Sequence, residues 1–357
     1  MPNSQQDIRF CTSHDGARIG YAQTGQGTPL VMSANWMSHL EHQWQNPSWR
    51  PWLDALSSRF RVLRYDARGC GLSDWVCDDL SFDAWVGDFE AVVQASGVER
   101  FPIVALCQGC AIAIDYAVRH PERVSHLVLI GPFVRGRLVR EPKDTQSAMM
   151  YCELARMGWA TETHEYMQLF ATLWLPNAST EVIRSWADLQ RVTTTADNAV
   201  RHIQIAQRLD VSEAATRVSC PTLVMHAERD RVIPVEQGRI CAGLIPNSRY
   251  VQLDSENHIL LQTEPAWGQM LRELDAFLKP PATARKPAPF AGLSPRDEGI
   301  LDLIAQGRDN SQIAAELDLS EKTVRNLVSK MYEKLGVENR SQAVVLSREA
   351  GYGTGTP

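Results

Sequence analysis

The chain has 357 residues, of which 44% are hydrophobic and 22% charged, with a net charge of -6. This is an ordinary globular balance with room for two domains, and it excludes a wholly disordered or fibrous chain. The acidic total excludes a protein that coats nucleic acid through a uniformly basic surface, although residues 281–357 hold ten Lys/Arg and ten Asp/Glu, so the whole deficit lies upstream. No apolar run reaches membrane-spanning length, the N-terminus lacks a basic-then-apolar signal pattern, and the eight cysteines show no even disulfide spacing. A soluble cytoplasmic protein with reduced thiols is expected, with no metal or cofactor motif and no membrane partner.

Two short strands are expected at residues 8–11 and 18–23, around the turn His14-Asp15-Gly16, because Asp-Gly supplies the positive φ of a tight hairpin. Residues 30–34 and 61–65 read as buried strands, the second running into the turn Asp66-Ala67-Arg68-Gly69-Cys70-Gly71-Leu72-Ser73. A helix over 82–96 precedes the apolar strand that ends at Leu106, and an amphipathic helix starts almost at once beyond it. Strand 124–130 follows. This strand-helix alternation implies an α/β fold with a mostly parallel sheet.

Residues 137–217 change character and are almost wholly helical in period, with Met149, Met150, Met167, Phe170, Trp174 and Trp186 on apolar faces. Strands at 222–227 and 249–253 and a helix at 267–278 restore the alternation. Four prolines between Pro280 and Pro289 then mark a semi-rigid linker over 281–291.

Between the strand ending at Leu106 and the next helix stands Ala105-Leu106-Cys107-Gln108-Gly109. A small residue, any residue, a nucleophile, any residue and glycine at a strand-to-helix turn lift one side chain clear above a sheet. The motif resembles the nucleophile elbow of the α/β-hydrolase family, in which cysteine is a recognised variant of serine. The Asp66–Ser73 turn also resembles that family, and the 137–217 stretch resembles its helical cap.

The resemblance implies a triad in the chain order nucleophile, acid, histidine, with the last two in loops after later strands. Asp230 and His258 stand at those places, so Cys107, Asp230 and His258 are the candidate catalytic residues. His39, His42, His164, His202 and His226 are read as ordinary structural histidines. The resemblance also implies an oxyanion hole from the backbone N–H groups of Gln108 and of Trp36. Many relatives carry His-Gly where this chain has Asn35-Trp36. Asn35, Trp36, Gln108, Met167, Phe170 and Trp174 are therefore the expected pocket residues. A cysteine here could attack an ester or lactone carbonyl. Cys107 and Cys110 also spell C-x-x-C, but on an elbow and not in a thioredoxin-like setting, so a redox role is the minor reading.

In the tail, Ser294, Pro295 and Asp297 form a strong helix start, and Gly307 ends that helix. Asn310 is expected to cap a helix over 312–317, and Ser320 a longer one over 321–335 closed by Gly336. A fourth runs from about 341 to 349. Two helices joined by Asp318-Leu319-Ser320 read as a helix-turn-helix. The run closely resembles the C-terminal DNA-binding domain of LuxR-type regulators, in which the third helix enters the major groove and the fourth supports dimerisation. Val324, Leu327, Val328 and Met331 share one face and are expected in the core. Arg325, Asn326 and Ser329 are then candidates for base edges, and Lys322, Thr323 and Lys330 for phosphates. Leu327 replaces the histidine common at this point of the family.

The expected organisation is an α/β-hydrolase-like domain over 1–280, the linker, and a helix-turn-helix domain over 292–352. Two functions compete: a homodimeric regulator that binds operator DNA and responds to a small acyl, lactone or aromatic ligand, and a cysteine-dependent ester or lactone hydrolase that carries a DNA-binding module. A complete DNA-reading tail has no use in plain metabolism, which favours the regulator.

Overall fold

Strands as apolar as Pro29–Met32 and Phe101–Leu106 can be stable only between two covering layers, and in the computed structural model they lie at the centre of one eight-stranded sheet. The structure describes residues 6–160, 165–278, 293–337, 339–349 and 352–353. The strands are β1 (Asp7–Thr12), β2 (Arg18–Thr24), β3 (Pro29–Met32), β4 (Arg61–Tyr65), β5 (Phe101–Leu106), β6 (Val124–Ile130), β7 (Thr222–Ala227) and β8 (Ser248–Leu253). Their order is β1-β2-β4-β3-β5-β6-β7-β8. Only β2 runs against the others, antiparallel to both β1 and β4; from β4 to β8 every pairing is parallel. Every residue of β5 and β7 is buried, whereas β1 at the edge is largely exposed. The strand that carries Cys107 is thus central, and its C-terminal end faces the same way as those of β7 and β8.

The loop after β4 is held by buried charge. Asp66 accepts hydrogen bonds from Ser38 Oγ (2.7 Å), Leu40 N–H (3.0 Å) and Leu72 N–H (2.9 Å). Arg68, fully buried, pairs with Asp88 and Asp15 at 2.6 Å each. This loop braces the sheet and does not reach the cavity described below.

Between β6 and β7 stand the helices Arg137–Arg140, Thr145–Ala160, Glu165–Trp174, Thr180–Arg191, Ala196–Arg208 and Ser212–Thr216. The inward stripe of Thr145–Ala160 is Ala148, Cys152, Ala155 and Trp159, at helical spacing. Met149 and Met150 fall off that stripe and are exposed at 67% and 68%, contrary to the apolar-face expectation. Met167, Phe170, Trp174 and Trp186 are buried as expected. His164 and the linker 281–291 lie outside the described residues.

The chain divides after Leu278 into two units. In the second, helices Pro295–Ala305, Asn310–Glu316, Glu321–Leu335 and Arg340–Glu349 enclose a core that includes Ile300, Ile304, Ile313, Val324, Val328, Met331 and Leu335. Ser294 and Asp297 form a reciprocal capping box. The next cap is Asp309, in a box with Gln312, and not Asn310; of two adjacent Asx residues, the one three places before the glutamine closes the box. Ser320 accepts from Thr323 N–H, and Gly336 ends the long helix at φ 68°. Leu327 is half-buried and packs on the rim of this core.

Candidate functional site

Cys107 sits between β5 and the helix Gly109–Arg119 with φ 51°, a backbone conformation that non-glycine residues rarely adopt. Three features hold it there. Its N–H donates to the Ile130 carbonyl (3.0 Å), and its carbonyl accepts from Cys110 N–H (3.1 Å). Gly109 lies so close to β3 that a Cβ at that position would stand 2.7 Å from Ala34 O and from Ser33 Oγ. The glycine of the motif is therefore a steric requirement of the turn.

Asp230 and His258 approach from the loops after β7 and β8. His258 Nδ1 and Asp230 Oδ2 are 2.6 Å apart, with both side chains almost fully buried. The other carboxylate oxygen of Asp230 accepts from the N–H groups of Val232 (2.8 Å) and Ile233 (3.0 Å), which fixes its orientation. Burial pushes the Asp230 carboxyl up, but the charge of His258 and the hydrogen bonds from His226, His258 and Ile233 outweigh it and hold the group well below its ordinary range. For His258 burial favours the neutral ring, yet the Asp230 charge and the Cys107 sulfur raise it to about 10. The imidazolium is the favoured form at neutral pH. His226, read from sequence as structural, bonds the Ile233 carbonyl through Nε2 (3.0 Å) and lies 3.5 Å from Asp230 Oδ2. It backs the acid, and the only signal for it in the sequence was its place four residues before Asp230.

The opposite wall differs. Trp36 N–H, the second expected oxyanion donor, is engaged by Asn35 Oδ1 at 2.8 Å. The Trp36 indole N–H donates to Gln190 Oε1 on the cap (2.8 Å), and its ring lies 4.7 Å from that of Trp174. Trp174 in turn packs edge-on to the His258 ring at 4.8 Å and accepts the His258 backbone N–H at its carbonyl (2.9 Å).

A cavity of about 280 Å³ opens over the elbow. Trp36, Cys107, Gln108 and Trp174 line it as expected, together with Tyr151 and Phe133, which the sequence reading did not single out. Three expected pocket residues do not line it. Phe170 and Met167 lie behind Trp174, fully buried, with Phe170 stacked on Trp36 and Trp186; Asn35 turns its carboxamide to the Trp36 backbone. The Gln108 carboxamide oxygen is buried without a hydrogen-bond partner among the described residues. Cys110 is fully buried, and burial pushes its thiol well up, which suits a packing residue better than a redox partner.

On the second unit, Lys322, Thr323, Arg325, Asn326, Ser329 and Lys330 are all exposed on Glu321–Leu335, whose opposite face is core. The geometry presents one polar, net basic helix face.

Residues 42–265 match the family described as alpha/beta hydrolase fold, and residues 291–347 match the bacterial regulatory proteins of the luxR family. The chain is similar to the non-heme chloroperoxidase CPO-A1 of Kitasatospora aureofaciens, with 24% identity over 279 residues that cover 75% of this chain and 98% of that protein. Among solved structures it resembles a hydrolase from Pseudomonas aeruginosa PA01 (24% identity, TM-score 0.62, 77% of this chain and 99% of that one). It likewise resembles the enol-lactonase of Burkholderia xenovorans LB400 (22%, TM-score 0.60, 76% and 99%).

Proposed function

Because the chain belongs to the α/β-hydrolase-fold family and carries a luxR-family DNA-binding domain behind it, we propose that it is a ligand-responsive transcription regulator whose hydrolase-like pocket perceives a small acyl, lactone or aromatic compound. The observation that carries this reading is the hydrogen bond between Trp36 N–H and Asn35 Oδ1. Acyl transfer needs two donors free for the developing oxyanion, and the loss of one slows the reaction by about 10² to 10³. In this chain one of the two is already engaged inside the protein. Binding persists while turnover is suppressed.

On this reading the ligand enters between cap and elbow, and its binding free energy differs between DNA-competent and incompetent arrangements. Two recognition helices of a homodimer then meet two half-sites, with Arg325, Asn326 and Ser329 on base edges and Lys322, Thr323 and Lys330 on phosphates. The second reading, a cysteine-dependent hydrolase, is favoured by one fact: the 2.6 Å pairing of His258 with Asp230 leaves the histidine that would exchange a proton with Cys107 fully wired.

Selection of duplexes from a random pool by the full-length protein tests the regulator. Recovered sites are expected to be two-fold symmetric, and Arg325→Ala is expected to lose specific binding while retaining the unfolding temperature of the wild type. A panel of acyl, lactone and aromatic compounds, screened by thermal shift, should contain members that change the affinity for the selected site. Fast turnover of a panel ester with no effect on DNA affinity would overturn the proposal in favour of the enzyme.

A further inference from the structure

The cavity has a polarity that neither the elbow nor the triad requires. Three of its lining residues are arginines, Arg137, Arg140 and Arg231, and none is an aspartate or glutamate. Two of the three are neutralised from behind: Arg137 by Asp144 at 3.0 Å and Arg231 by Glu256 at 2.8 Å. Arg140 is not. Its one hydrogen bond runs from Nη1 to the Arg135 carbonyl (2.9 Å), and among the described residues no carboxylate lies within ion-pair distance. Burial, then the neighbouring charge of Arg137, disfavour its charged form by more than the adjacent Glu141 carboxylate, which does not contact it, favours it, as expected of a cation held in place without a contacting counter-charge.

The position is built, not incidental. The short helix Arg137–Arg140 begins at Gly136, whose N–H donates to the Leu209 carbonyl (2.7 Å) and whose Cα faces the backbone of Ala206 and Gln207 so closely that a Cβ has no room. Val211 N–H donates to the Val134 carbonyl (2.8 Å), and the backbones of Arg135 and Asp210 form an isolated antiparallel β-bridge. The backbone that carries both arginines is thus fixed to the helix Ala196–Arg208, which supplies Ile203, Ala206 and Gln207 to the same cavity. The rest of the lining is mainly aromatic and aliphatic.

We propose that Arg140, supported by Arg137, is the anion-binding end of the pocket and that the ligand is a carboxylate with an apolar body, read as the free acid and not as its ester. This inference rests on the sensing reading and deepens it. A small ligand in such a cavity is oriented by a few polar groups, and the half-buried guanidinium of Arg140 is the strongest of them for a carboxylate. The ligand carboxylate also supplies the contacting partner charge that Arg140 lacks among the described residues. A free acid offers the cysteine no leaving group at its carboxylate, which accords with a pocket that binds without cleaving.

The test titrates the full-length protein at pH 7 with octanoate and 4-phenylbutyrate and with their methyl esters, following the fluorescence of Trp36 and Trp174 in the cavity wall. The acids are expected to bind at least about tenfold tighter than the esters, the ratio that one charge-assisted pairing commonly supplies. Arg140→Ala should bring acids down to the level of esters, Arg140→Lys should keep most of the preference, and Arg137→Ala should weaken it less. Equal affinity for acid and ester, or an acid preference that survives Arg140→Ala, overturns the anionic subsite. Tighter binding of the esters, or binding of neither class, does the same but leaves the sensing reading standing, which the compound panel tests by itself.

Discussion

The two walls of the elbow have diverged. On one side His258 and Asp230 stand 2.6 Å apart, buried, with both carboxylate oxygens satisfied. On the other, the Trp36 backbone N–H is engaged by Asn35 and the indole by Gln190 on the cap. A hydrolase needs the first wall to generate a nucleophile and the second to stabilise the charge that develops after attack. This chain keeps the first and closes the second. Proton-handling groups can persist in a binding pocket because an ion-paired histidine and aspartate also hold two loops together. An open oxyanion donor has no such structural use, and here a side chain satisfies it.

The largest effect expected concerns the sulfur. With p-nitrophenyl acetate as probe, intact mass should show one acetyl group per chain in the wild type, accumulating without steady turnover, and none in Cys107→Ala. Rapid multiple turnover by the wild type would mean that the second wall functions despite the Asn35 contact. Next in size is Asn35→Gly, which removes the internal acceptor and leaves Trp36 N–H free. Hydrolysis of the same ester is expected to rise by about 10- to 100-fold, a part of what one oxyanion donor is worth. An unchanged rate in a folded Asn35→Gly protein would break the contrast between the walls.

The first wall was legible in the sequence and the second was not, for a physical reason. Cys107, Asp230 and His258 each follow a strand, and in a parallel sheet such positions converge at one edge. The recognition helix was legible because a period of 3.6 separates Val324, Val328 and Met331 from Arg325, Asn326 and Ser329. The Asn35–Trp36 bond depends on one side-chain torsion, which no pattern of residues encodes. Arg137 and Arg140 escaped because membership of the cavity depends on how the helix after Gly136 docks on Ala196–Arg208. Phe170 was misjudged by one layer: it supports Trp174 and does not face the cavity. Met149 and Met150 were misplaced because 3.6-fold periodicity over a helix rich in alanine and methionine allows more than one inward stripe.

The acid-base wall should also write itself into stability against pH. His258 is raised from 6.5 to about 10 in the folded chain, so the folded state holds a proton that the unfolded one releases. Its contribution is complete below about 6.5 and is lost as pH rises through the folded value near 10. Asp230, lowered by burial-opposed pairing with His258, contributes above its ordinary range and loses that contribution in acid. The unfolding temperature of the 1–278 unit within the full chain is expected to fall progressively from pH 7 to pH 10. His258→Gln should flatten that slope, and a slope unchanged by the substitution would assign the pH response to other groups.

The smallest effect expected lies in the contact that joins the closed wall to the cap. Trp36→Phe removes the indole N–H and leaves the buried Gln190 Oε1 without its 2.8 Å donor, while most of the ring contact with Trp174 remains possible. A buried acceptor left without a partner costs about 1–2 kcal/mol, read as a lowered urea midpoint at constant slope. The same substitution leaves the Trp36-position backbone N–H facing Asn35, so it should not raise ester hydrolysis as Asn35→Gly does. Indole and backbone N–H are thereby separated: the first ties the cap to the elbow, and the second decides whether the elbow can stabilise an oxyanion. If Trp36→Phe accelerated hydrolysis as much as Asn35→Gly, the proposed suppression of turnover would stem from the bulk and tethering of the indole and not from the engaged N–H.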